Sequence, residues 1–177
     1  IFDDKTNIKR FNRFNKIFDV DTNTDDFIAA LPEWYEYGLR AVTVGIQGGM
    51  PVFTIDVNTI DNSPFGPDGM RFDEAYAKRL DKIIRAADSL GMVVIVNILY
   101  WAQALRFKNE DALVSALTCA ASFLKNGNYT NIIIDVANEY NIETWNDVKI
   151  VQDPKNMKML IDLVRKESGG MLVGSSG

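Results

Sequence analysis

The residues best equipped for chemistry gather in one decapeptide, IIIDVANEYN, Ile132 to Asn141. An apolar run holds one acid, Asp135, and ends on Asn138-Glu139. A carboxyl at a strand end can give or take a proton at a bound substrate, and an amide beside it can bond a hydroxyl. Alternate side chains of a strand share a face. Ile133, Asp135, Ala137 and Glu139 therefore point one way, and Ile132, Ile134, Val136 and Asn138 point the other, the better face for packing on helices. A buried carboxylate needs partners, and Thr43 and Asn97, each inside its own strand, are the candidates. Glu143 is a rival acid further into the loop. Glu139 is preferred because a strand end holds a carboxyl more rigidly.

Other chemistries fall away. The chain has no histidine, which removes Ser-His-Asp and Cys-His catalysis and argues against zinc. Its single cysteine, Cys119, stands among small apolar residues of a helix and reads as a packed thiol. A net charge of -5 disfavours nucleic acid, whose phosphates call for a basic face. No apolar run approaches the roughly 20 residues of a membrane helix. No cofactor motif is present: no Gly-x-Gly-x-x-Gly follows a strand and no Walker Gly-Lys-Ser/Thr occurs. Asp135, Glu139 and Asn97 could instead hold Mg²⁺ through oxygen, as in a barrel of another enzyme class.

The elements that must position these residues follow one grammar: amphipathic helix, glycine or turn, apolar strand. A helix over about Thr24 to Tyr37, with Pro32 expected to shorten or kink it, precedes the strand Leu39 to Ile46. A second helix starts near Asp73 and buries Tyr76, Leu80, Ile83, Ile84, Ala87 and Leu90, before the strand Met92 to Leu99. A third starts near Asn109 and buries Leu113, Val114, Leu117, Ala121 and Leu124, before the strand Ile132 to Asn138. Asp153 and Pro154 open a fourth, which buries Met157, Leu160, Ile161 and Val164. Gly169-Gly170 closes it, and MLVGSS begins another strand.

Continuous apolar strands read as covered on both faces. Alternation with helices gives a parallel α/β sheet. A doubly wound sheet and an arc of a (β/α)8 barrel both fit, and both carry their sites on the side of the long strand-to-helix segments, of which Gln47 to Phe72 is one. The chain begins at Ile1 and stops just after a new strand opens. One incomplete domain over 1–177, a piece of a longer protein, is the expectation.

The segment DVANEYN resembles the fourth strand of the retaining cellulase-type (β/α)8 glycoside hydrolases, which reads acidic, two apolar residues, then Asn-Glu. YGLRAVTVGIQGG, LGMVVIVNILYW and GGMLVGSSG stand where strands two, three and five would be. A narrower cellulase-like barrel group is resembled through Ile1-Phe2-Asp3-Asp4, Gln47-Gly48-Gly49 and the segment Asn62 to Gly69. The resemblance implies a partial TIM barrel covering roughly strands 2 to 5, truncated at both ends. It makes Glu139 the general acid/base and Asn138 a ligand of a sugar hydroxyl, with a poly- or oligosaccharide as substrate and the nucleophile at the end of a seventh strand beyond Gly177. A retaining enzyme of this kind needs its two carboxyls about 5–5.5 Å apart. Such enzymes are often exported, so a secreted or periplasmic address goes with the resemblance.

Gln47, Tyr100, Trp101, Gln103, Tyr140 and Trp145 stand at the presumed mouth, where rings could stack on sugars and amides bond hydroxyls. Asn141 stands there too, while Asn62 and Asp68 suit a turn. Two positions depart from the family. Thr43 stands where many members carry Arg, and Leu99 where many carry His. They motivate a second reading, a carbohydrate-binding or structural barrel without catalysis.

Overall fold

The computed structural model describes residues 19–48 and 63–177. Ile1 to Asp4, Gly49 and Asn62, which carry part of the narrower resemblance, lie outside the described residues.

Helix α1 (Val20–Glu36) begins four residues before the expected start, because the Asp19 side chain caps it by accepting from the Thr22 N–H at 2.7 Å. That bond also holds the Asp19 carboxyl below its ordinary range. Pro32 does not shorten the helix. A proline there forfeits the bond to the carbonyl one turn back, but Leu31 is fully buried and anchors the segment.

Strand β1 (Ala41–Gly45), helix α2 (Glu74–Ser89), strand β2 (Val93–Leu99), helix α4 (Glu110–Asn126), strand β3 (Ile132–Ala137), helix α6 (Pro154–Glu167) and strand β4 (Leu172–Gly174) complete the repeating frame. Asp73, Asn109 and Asp153 cap their helices through their side chains. Two short helices, α3 (Trp101–Ala104) and α5 (Lys149–Gln152), and a 3-10 turn over Glu143–Trp145 occupy strand-to-helix connections. No helical periodicity is long enough to announce elements this short.

Among the described residues the sheet is four-stranded, wholly parallel, and ordered β1-β2-β3-β4. Each strand adds beside its predecessor, and the order never reverses. A doubly wound sheet requires such a reversal; a barrel wall does not. The topology is thus that of an arc of a (β/α)8 barrel.

The register divides the sheet into layers. Val44, Val96, Ile134 and Val173 lie level and belong to the core or pack against it. On the opposite face Thr43, Ile95, Ile133 and Leu172 lie level, and all but Ile95 are exposed. The expectation of two covered faces is therefore corrected. At this layer the described helices cover one face only and four strands do not close the other into a lumen, whereas nearer the C-terminal edge Asn97, Leu99 and Ala137 of that same face are buried. One layer nearer the C-terminal edge come Gly45, Asn97, Asp135 and Gly174. The two central polar side chains have a glycine on either side.

Gly69 shows how tightly the long β1-to-α2 connection is seated. Its φ is +71°, and a Cβ there would lie 1.8 Å from the Ala112 carbonyl oxygen on α4. Asp68 makes the expected turn, accepting from the Met70 N–H at 3.0 Å.

Candidate functional site

Strand β3 ends at Ala137, and the Asn138 N–H still reaches the Leu99 carbonyl at 3.0 Å. The next residue, Glu139, has φ +48°. This left-handed backbone costs a non-glycine residue about 1–2 kcal/mol, so the surroundings must enforce it. It also ends the strand alternation, which therefore does not determine where the Glu139 side chain points. The carboxylate is exposed, and its Oε2 accepts from Asn138 Nδ2 at 3.2 Å. The Ile142 N–H donates to the Glu139 carbonyl at 3.2 Å and closes the turn.

What enforces that backbone lies two residues past β4. The Glu139 N–H donates to Ser176 Oγ at 3.0 Å, and the Tyr140 N–H donates to the Ser176 carbonyl at 3.0 Å. Ser176 is itself held by Asp135, whose Oδ1 accepts its N–H and whose Oδ2 accepts its hydroxyl, each at 2.9 Å. Asn97 Nδ2 donates to the same Oδ2 at 3.1 Å. Asn97 is thus the partner expected for Asp135, whereas Thr43 lies one layer lower, level with Ile133. Three donors converge on Asp135, an arrangement that suits an anchored carboxylate better than an oxygen ligand of Mg²⁺. Ser175 adds a bond from Oγ to the Ala137 carbonyl at 3.0 Å.

Tyr100 and Trp101 follow β2 as a half-buried pair, ring centroids 5.6 Å apart and planes 31° from parallel. Helix α3, which Trp101 opens, packs against the 3-10 turn Glu143–Trp145, so this aromatic ledge adjoins the loop of Glu139. Tyr140 is half-buried, and Asn141 is exposed. Glu143 is exposed at the start of the 3-10 turn.

Three residues expected at the mouth stand behind it. Trp145 is fully enclosed, and its Nε1 donates to the Asn138 carbonyl at 3.0 Å. It offers no ring face to a sugar and instead fastens the loop, because the 3-10 turn folds the indole back into the core. Gln47 is buried, with Oε1 accepting from the Tyr100 N–H at 3.0 Å and Nε2 donating to Ser63 Oγ at 3.2 Å. It satisfies the first backbone donor of a helix that has no side-chain cap. Gln103 is buried within α3.

Ser176 is the residue that sequence reasoning missed. Asp135 and Ser176 are 41 positions apart, and no local pattern links them. The signal available was the register: Asp135 lies level with Gly174, and Ser176 is the next residue of the same face.

A search of curated proteins gives no match. Among solved structures, similar folds include a glycoside hydrolase family 5 protein from Bacteroides vulgatus, with TM-score 0.57 and 20% identity, covering 85% of this chain and 31% of that one. An endocellulase from Pyrococcus horikoshii, solved with cellotetraose, gives TM-score 0.52 and 17% identity over 85% of this chain and 44% of its own. A hyperthermostable endocellulase gives TM-score 0.51 and 18% identity over 84% and 45%. The chain spans less than half the length of each. The match that reaches beyond fold is to the family model described as cellulase (glycosyl hydrolase family 5), over residues 10–173. With nearly its whole length matched, the chain belongs to that family.

Proposed function

We propose that this chain supplies the acid/base half of a retaining glycoside hydrolase, with Glu139 as general acid/base and Asn138 as the ligand of a sugar hydroxyl next to the scissile bond. The observation that carries the reading is the exposed Glu139 carboxylate beside Asn138, at the C-terminal edge of a sheet whose family cleaves glycosidic bonds. Barrel enzymes work at that edge. The acid protonates the departing glycosidic oxygen. A second carboxylate, from outside this chain, attacks the anomeric carbon and forms a glycosyl-enzyme, and Glu139 then takes a proton from the water that hydrolyses it. The Tyr100–Trp101 ledge and Tyr140 are the rings best exposed to a sugar. The relative solved with cellotetraose makes a glucan the first substrate class to assay. The test is Glu139→Gln in the complete polypeptide. Hydrolysis of substrates with poor leaving groups is expected to fall about 10²–10⁴-fold, the contribution of a positioned acid. Unchanged turnover of those substrates refutes the role.

A second reading, a carbohydrate-binding barrel without turnover, draws on two side chains. Leu99 is apolar and fully buried at the end of β2, and Thr43 lies on the open face. Many family members carry a cation or an imidazole at these positions. This reading is expected to show sugar binding by calorimetry and no product. A covalent glycosyl-enzyme trapped with a mechanism-based inhibitor eliminates it.

A further inference from the structure

We infer that Ser176 is a positioning residue for Glu139, and that Asp135 acts on the acid/base through it. The inference rests on the reading of Glu139 above. Glu139 is one of two non-glycine residues with positive φ among the described residues, the other being Asn128. Nothing in the side chain of a glutamate favours that backbone. It persists because both amide N–H groups that flank the turn, those of Glu139 and Tyr140, end on Ser176. One bond goes to the hydroxyl and one to the carbonyl, so Ser176 fixes the peptide plane on the C-terminal side of Glu139 as well as its position.

Ser176 lies past a strand of only three residues, outside any regular element. Asp135 ties it down with two bonds, and Asn97 orients Asp135. The order of action is Asn97, Asp135, Ser176, Glu139, running across three adjacent strands. Asp135 shares a layer with glycines on both edge strands, which leaves the backbone of the β4 end free to approach its carboxylate. This gives the acid in the strand a task distinct from touching substrate. It holds the platform on which the proton donor sits, and a carboxyl about 1 Å out of place can lose about a hundredfold in rate.

The experiment compares Ser176→Ala, Ser176→Thr and Asp135→Asn in the complete polypeptide on two glycosides. One has a poor leaving group that must be protonated, and the other an activated aryl group that leaves without a proton. Ser176→Ala is expected to lower kcat/KM, which reports the first step, by about tenfold to a hundredfold on the first glycoside, with a much smaller loss of kcat/KM on the second, whose departure needs no proton. Ser176→Thr, which restores the hydroxyl, is expected to recover most of the rate. Asp135→Asn keeps the volume and is expected to show the same leaving-group pattern, so it carries the test if Ser176→Ala does not fold. An equal loss of kcat/KM on both glycosides, or no loss on either, overturns the inference. Glu139→Gln run alongside separates the two ideas. If it leaves poor substrates turning over, the acid/base reading falls. If it abolishes them while Ser176→Ala matches the parent, only the Ser176 role falls.

Discussion

At the scale of single residues, the loop of Glu139 is also fastened from inside the core. Trp145 is the clearest case. Its ring fills the core, and its indole N–H satisfies the carbonyl of Asn138. The two contributions are separable. Trp145→Ala removes both and is expected to cost about 3–5 kcal/mol of stability. Trp145→Phe keeps most of the ring and leaves the carbonyl unpaired, for about 1–3 kcal/mol. Urea unfolding of both variants checks the ordering, and a Phe variant as stable as the parent sinks the role given to the N–H. Gly69 and Gly38 form a second pair. Both have positive φ, but a Cβ at Gly38 meets nothing within 4 Å, whereas at Gly69 it strikes the backbone of α4. Gly38→Ala is expected to cost about 1–2 kcal/mol, the left-handed penalty alone, and Gly69→Ala considerably more. Equal midpoints for the two would mean that α4 yields easily.

At the scale of elements, α2 is fastened to the sheet by the Tyr76 hydroxyl, which donates to the Gly45 carbonyl at the end of β1. Burial pushes this phenol well above the usual tyrosine range, with Arg79 pulling weakly the other way. The folded state therefore holds the proton more tightly than the unfolded chain. The resulting stability is fully present below about pH 10, the unfolded value, and is lost as pH rises above it. Tyr76→Phe is expected to be less stable than the parent at neutral pH by about 1 kcal/mol and to lose stability less steeply above pH 10. Parallel alkaline slopes in thermal scans would refute this. These long elements were legible because their apolar stripes repeat over several turns and their caps are local: Asp73, Asn109 and Asp153 announce their helices within three residues. Pairing between strands was legible only as order. That left the covered faces misjudged, since an apolar run reads alike whether its second face meets helices or a lumen. The short elements and the Ser176 clamp were not legible, because one is too brief for periodicity and the other joins residues through register alone. Trp145 was misread for a related reason: an aromatic in a loop looks exposed until the turn that folds it inward is known.

At the scale of the whole molecule, the open face decides how the chain behaves. Thr43, Ile95, Ile133 and Leu172 form one layer there, and Leu172 is 70% exposed at the edge strand. The edge strands β1 and β4 each have one side unpaired within the described sheet, and such edges recruit other strands. In a closed eight-stranded barrel the same layer would be lumen packing. One substitution should therefore have opposite effects in two contexts. In the 177-residue chain expressed alone, which we expect to associate and unfold with little cooperativity, Leu172→Lys places a charge on the exposed apolar face and is expected to raise the monomer fraction by gel filtration. In a polypeptide that completes the barrel, Leu172→Lys buries an unpaired charge and is expected to cost about 3 kcal/mol or more of stability, read as a lower unfolding midpoint. A neutral effect in the complete polypeptide would mean that the layer stays wet and open. The barrel would then be a platform with a cleft through its wall rather than a closed core. The sugar would have a route to Asp135 from below, and the role of that carboxylate as a pure anchor would have to be given up.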